Sequence, residues 1–145
     1  MATSNFLSDQ EQANVLAAIS DAESQTSGEI RLHLESRCKG DVLDRAAVVF
    51  ETLAMHKTAL RTGVLFYLAT EDRKFAILGD GGINAVVPDN FWNDVKNRVI
   101  DGLASGKPAE GIASGIRLAG EQLSAHFPLE ANDINELSND ISFGS

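Results

Sequence analysis

The chain has one cysteine, Cys38, so no internal disulfide can staple the fold, and no C-x-x-C metal knuckle exists. Long apolar runs are missing: none approaches the roughly 18 residues of a membrane-spanning helix. The first residues lack the basic, apolar pattern of a secretory signal, so the expectation is a cytoplasmic protein with no membrane span. Basic residues are few, 12 against 21 acids, for a net charge of −9. That balance argues against nucleic acid or an anionic membrane as the main partner and is compatible with a cation. No EF-hand spacing, internal repeat or low-complexity tract is present, and no serine sits in a nucleophile elbow.

What is present has globular proportions, 43% hydrophobic and 23% charged over 145 residues, enough for one domain with an ordinary core. The domain is expected over residues 1–128. Residues 129–145 form an acidic tail that carries Glu130, Asp133, Glu136 and Asp140 with no base, and a loose conformation is expected there.

Periodicity sets the elements in between. Ser8-Asp9-Gln10-Glu11 is a capping box, and Val15, Leu16, Ile19 and Ala22 continue at helical spacing. Glu29 to Ser36 alternates, with Ile30, Leu32 and Leu34 on one face and Glu29, Arg31, His33 and Glu35 on the other. Asp41 caps a second helix. Val64 to Ala69 is a continuous apolar run, read as a strand buried on both faces, and a four-residue turn leads into a second strand from Lys74 to Leu78. A helix follows Pro88-Asp89-Asn90, and another runs from Pro108 to His126. On the last, the four-residue spacing of Gly111 and Gly115 predicts close packing on a neighbour. The order α-β-α-β-β-α-α contains a βαβ unit followed by a hairpin. It predicts an α/β fold: a three-layer α/β/α sandwich with a small mixed sheet.

That topology gathers polar groups at one sheet edge. The second hairpin strand ends in Gly79-Asp80-Gly81-Gly82, a carboxylate among three glycines whose backbone can approach a ligand closely. The start of the first strand brings Glu29 to the same edge, and the start of the third helix brings Asp89 and Asn90. The connection before the central strand brings Lys57 and Arg61. Asp80, Asp89, Asn90 and Glu29 are therefore candidate ligands of a divalent cation. Calcium suits such an irregular oxygen set better than magnesium. Lys57 and Arg61 are candidate phosphate-binding groups. The ordinary roles of these residues are a turn acid for Asp80, helix caps for Asp89 and Asn90 and a solvated strand end for Glu29. The three histidines show no convergence, Cys38 has no placed base, and catalytic residues stay unassigned.

The opening FLSDQEQANVLAAISDAESQTSGEIRLHLES, the core RTGVLFYLATEDRKFAILGDGGIN, the Phe91-Trp92 pair and the closing GIASGIRLAGEQLSAHFP appear in this order. Over residues 6–128 the chain thereby resembles the TPM domain, a family found in thylakoid-lumen proteins of photosystem II repair and in many bacterial proteins. The resemblance implies a three-layer α/β/α domain, an association with divalent cations, calcium especially, and the acid-phosphatase activity attributed to plant members. It also implies accessory roles in larger assemblies, with a protein partner. Two functions follow as expectations: a non-catalytic cation-binding or adaptor module, and a metal-assisted phosphoester hydrolase.

Overall fold

The computed structural model describes residues 6–58, 60–88, 90–128 and 141–144. Helix α1 (Asp9–Glu23) begins at the capping box: Ser8 Oγ accepts from the Glu11 amide at 3.1 Å, and the Ser8 amide donates to Glu11 Oε1 at 2.9 Å. Such caps contribute about 1 kcal/mol each. Strand β1 (Glu29–Glu35) leads through a loop to α2 (Val42–Thr52), capped by Asp41. Strands β2 (Gly63–Ala69) and β3 (Lys74–Gly79) form the hairpin. The one-turn helix α3 (Gly81–Asn84), then α4 (Phe91–Ala104) and α5 (Pro108–His126), complete the domain.

The sheet is mixed, in the order β3-β2-β1-β4. β1 and β2 are parallel, from Glu29 opposite Gly63 to Glu35 opposite Ala69. β2 and β3 are antiparallel, from Val64 opposite Gly79 to Ala69 opposite Lys74. All seven residues of β2 are buried, as its unbroken apolar run requires. Alternate side chains feed two cores. Leu32, Leu34, Phe66 and Leu68 pack with residues of α1, α4 and α5, including Val15, Val95 and Ile112. Leu65, Tyr67, Ala69 and Ala76 pack beneath α2 with Ala46, Val49, Phe50 and Met55. The layers are thus α1, α4 and α5, then the sheet, then α2, with the one-turn α3 adding Ile83 to the larger core.

Helix α5 sits at the centre of the three-helix layer because glycine lets its neighbours approach. A Cβ on Gly102 of α4 would lie 2.4 Å from the Gly111 Cα, and one on Gly120 would lie 2.7 Å from the Ala22 Cβ of α1. Gly115 is pressed against Val99 and Phe66. The glycine spacing on α5 is therefore a packing device, as expected.

Only the end of the expected tail is described. Residues 129–140 lie outside the described residues, but the chain's last described stretch is not loose. Ser142–Phe143 forms β4, parallel to β1, with His33 opposite Ser142 and Leu34 opposite Phe143. Ile141 is 8% exposed and belongs to the larger core. The physical reason is the free edge of β1, whose amides and carbonyls a strand can satisfy.

Candidate functional site

The glycine-rich turn after β3 is held tightly against the segment before β2. The Asp80 amide donates to Gly63 O at 2.9 Å and the Gly82 amide to Arg61 O at 2.8 Å. A Cβ on Gly82 would lie 2.0 Å from Leu60 O, so only glycine fits there. Gly79 is packed on Trp92, whose indole N–H donates to Asn84 Oδ1 at 2.9 Å, while Asn84 Nδ2 donates to Gly79 O at 2.7 Å. Gly81 has open space around it. Two of the three glycines are therefore required by close packing.

This frame fixes Asp80. Its side chain is nearly buried, and its Oδ1 accepts from the Gly81 amide at 2.8 Å. Arg61 grips it with two parallel bonds, Nε to Oδ2 and Nη2 to Oδ1, both 2.7 Å. Arg61 adopts a left-handed backbone conformation, φ 57°, which a non-glycine residue holds only when its surroundings enforce it. The hydrogen bond and charge of Asp80 raise the Arg61 pKa further. The guanidinium side chain is nevertheless 57% exposed. Beside the pair lies a pocket of about 380 Å³ lined by Glu51, His56, Arg61 and Asp80 over an apolar floor of Phe50 and Leu78. The ring Nδ1 of His56 is buried with no hydrogen-bond partner among the described residues.

The remaining predicted site residues divide. Glu29 does lie at the same sheet edge, since its amide donates to Thr62 O at 3.3 Å. It is buried, contrary to the solvated strand end of the ordinary reading, and its carboxyl meets Glu23 at the end of α1. Glu23 Oε2 in turn accepts from the Ile30 amide at 2.7 Å. Asn90 occupies the cap position of α4, exposed and without a side-chain capping bond. Lys57 is exposed, and Asp89 lies outside the described residues. Among the described residues, no three acidic, histidine or cysteine side chains converge as a metal cluster. Of the candidate cation ligands the structure thus fixes one carboxylate, Asp80, and pairs it with Arg61, so the fit to a divalent cation is sparse.

A second polar cluster escaped the sequence reading. On the α2 side of the sheet Glu35, 2% exposed, receives Arg45 Nε and Nη2 at 2.8 Å each, the Tyr67 hydroxyl, and His33 Nε2 at 3.0 Å. Burial alone raises the Glu35 pKa, but the Arg45 fork and the Tyr67 and His33 bonds bring it down to about 2. Burial and the Glu35 bond raise that of Tyr67, and burial lowers that of His33. The signal was available: Tyr67 is the one hydroxyl in the β2 run, and it sits opposite His33 in the register. A buried polar strand face requires its own partners.

A mixed sheet sandwiched between helices, with a glycine-framed carboxylate at its edge, defines a small α/β domain with an edge site. The chain belongs to the TPM domain family, whose description matches residues 1–122. Among solved structures it is similar to the BA42 protein of the psychrophilic bacterium Bizionia argentinensis, with 47% identity, 96% of each chain covered and a TM-score of 0.89. It shares its fold with the N-terminal domain of the cg2496 protein from Corynebacterium glutamicum, at 16% identity, 91% and 82% of the two chains covered, and a TM-score of 0.67. The same holds for the N-terminal domain of a P. gingivalis protein, at 18% identity, 83% and 78% coverage, and a TM-score of 0.65. No curated protein matches the chain. Among the described residues, no helix is long and apolar enough to cross a membrane.

Proposed function

We propose that this domain is a non-catalytic binding module that takes a divalent cation, calcium before magnesium, at the Asp80 edge of the sheet and presents that edge to a protein partner. The observation that supports it most is the state of Asp80. The fold holds this carboxylate nearly buried and oriented, yet it is neutralised by a side chain that is mostly in solvent. The guanidinium side chain is open to solvent, so a divalent cation that reaches the carboxylate can compete with it for Asp80. Calcium tolerates irregular sets of carboxylate, amide and carbonyl oxygens, whereas magnesium demands a near-ideal octahedron. A site with one fixed carboxylate belongs at the weak end of calcium affinities, with a Kd on the order of 10⁻⁴–10⁻³ M. Arg61, released from Asp80, would then be free to meet an acidic group on the partner.

One observation favours a second reading. His56, with its unpartnered buried nitrogen, shares the pocket with Arg61, an arrangement that suits a phosphate ester. In that reading the cation polarises the phosphoryl oxygen and Lys57 and Arg61 hold the phosphate. An NMR titration of the full chain tests the first reading: calcium should shift amides of residues 79–82 and 90 saturably and leave Glu71 and Asp72, at the other end of the sheet, nearly still. The absence of saturable shifts at millimolar calcium contradicts it. Turnover of a generic phosphoester that requires the metal and disappears in Asp80→Asn would replace it with the second.

A further inference from the structure

We propose that a cationic pocket with an apolar floor, at the hairpin end of the sheet, binds a ligand of the fatty-acid class: a free carboxylate with an extended apolar chain. The pocket has a volume of about 940 Å³ and lies where the β2–β3 turn faces the end of α4 and the start of α5. Sites for small ligands span roughly 300–1,000 Å³ and are mostly apolar, with a few polar groups that fix orientation. It is separate from the Asp80 edge: Lys74, which lines it, begins β3, and Asp80 follows the other end of that strand.

Two features of the lining decide the ligand. The first is the apolar floor. Leu68 and Phe75 of the hairpin belong to the larger core and Leu103 of α4 packs on it, while Ile100, 40% exposed, stands open at the pocket. A hydrocarbon chain laid there removes this surface from water. The second is charge of one sign. Arg73, Lys74 and Lys96 line the pocket and no acid does, in a chain with 21 acids and 12 bases. The two acids of the turn are engaged elsewhere: Glu71 pairs with Arg37 at 3.4 Å, and Asp72 Oδ2 accepts from the Cys38 amide at 2.7 Å. Lys74 is partly engaged too, since its Nζ donates to Cys38 O at 3.0 Å and to Gly40 O at 2.9 Å. The side chains of Arg73 and Lys96 are exposed and have no partner among the described residues. One cation on the turn and one on α4, over an apolar floor, complement a molecule with one anionic end and one long apolar end. A bare anion such as phosphate would leave the floor in water, and an uncharged hydrocarbon would leave the cations unanswered. The net charge of −9 opposes an anionic membrane surface as the occupant.

An NMR titration of the full, isotope-labelled chain with decanoate, kept below its micelle concentration and free of calcium, tests this. Amides of residues 70, 73–75, 96, 100 and 103 should shift saturably, and those of residues 79–82 should stay still. Decyltrimethylammonium, with the same chain and the opposite charge, should bind about tenfold more weakly. Acetate, with the charge alone, should not saturate. The double variant Arg73→Asn, Lys96→Gln replaces two exposed, unpaired side chains and should bind decanoate about tenfold more weakly than the parent. Asparagine suits position 73 because the backbone there is left-handed, φ 56°. The proposal is overturned if decanoate gives no saturable shifts at these residues, if the cationic amphiphile or acetate binds as tightly, or if the double variant binds decanoate as well as the parent. Shifts of the same amides on raising the protein concentration without ligand would make the pocket a contact between copies and overturn it. Sedimentation of the chain with phosphatidylglycerol vesicles, with no response to decanoate, would overturn it in favour of a membrane surface.

Discussion

Glu23 and Glu29 come from the end of α1 and the start of β1, and their carboxyls meet where the chain enters the sheet. Burial raises the Glu23 pKa most. The Ile30 amide opposes the rise, and the Glu29 charge adds to it, for a value of about 8 against an ordinary 4.5. The folded protein therefore keeps a proton on Glu23 at pH values where the unfolded chain has lost it. The stability this contributes is complete below pH 4.5 and is lost as the pH rises toward 8. Glu23→Gln copies the protonated acid: its carbonyl can still accept from Ile30 and its amide can donate to Glu29. The variant should show a flatter dependence of unfolding free energy on pH between 4.5 and 8, and should exceed the parent at the upper end. Urea unfolding at three pH values measures this; parallel curves for the two proteins contradict it. No pattern in the sequence pointed to the pair, because the carboxyls meet only after α1 and β1 fold onto each other.

At the scale of elements, most of what formed was legible. The capping box starts α1, the alternation of residues 29–36 makes β1, and the apolar run 64–69 makes the central strand. These signals are local and periodic, so propensity and burial agree. β4 was illegible because two residues have no period and the acids before them suggest a solvated tail. Its contribution can be measured. Ending the chain at Asp140 removes Ile141 from the core, worth about 1.5–3 kcal/mol for a side chain of that kind, together with the bonds to His33 and Leu34. The melting temperature should fall by roughly 5–10 °C. A fall of less than about 2 °C would mean that β4 adds nothing to the domain.

For the molecule as a whole, the topology placed Glu29, Arg61 and Asp80 at one sheet edge correctly, since strand direction alone decides which ends meet. It could not say which side chains would pair there. Arg61, with a left-handed backbone, pairs with Asp80, and Glu29 turns instead to Glu23. The net charge of −9 draws cations to every surface, so a general rise in stability with salt would not identify a site. Calorimetric titration with calcium of the parent, Asp80→Asn and Arg61→Ala separates the cases. If the guanidinium occupies the place of the cation, removing it should tighten calcium binding about 2- to 5-fold. Asp80→Asn should abolish binding. Weaker binding in Arg61→Ala, or unchanged binding in Asp80→Asn, would contradict the assignment of this edge as the cation site.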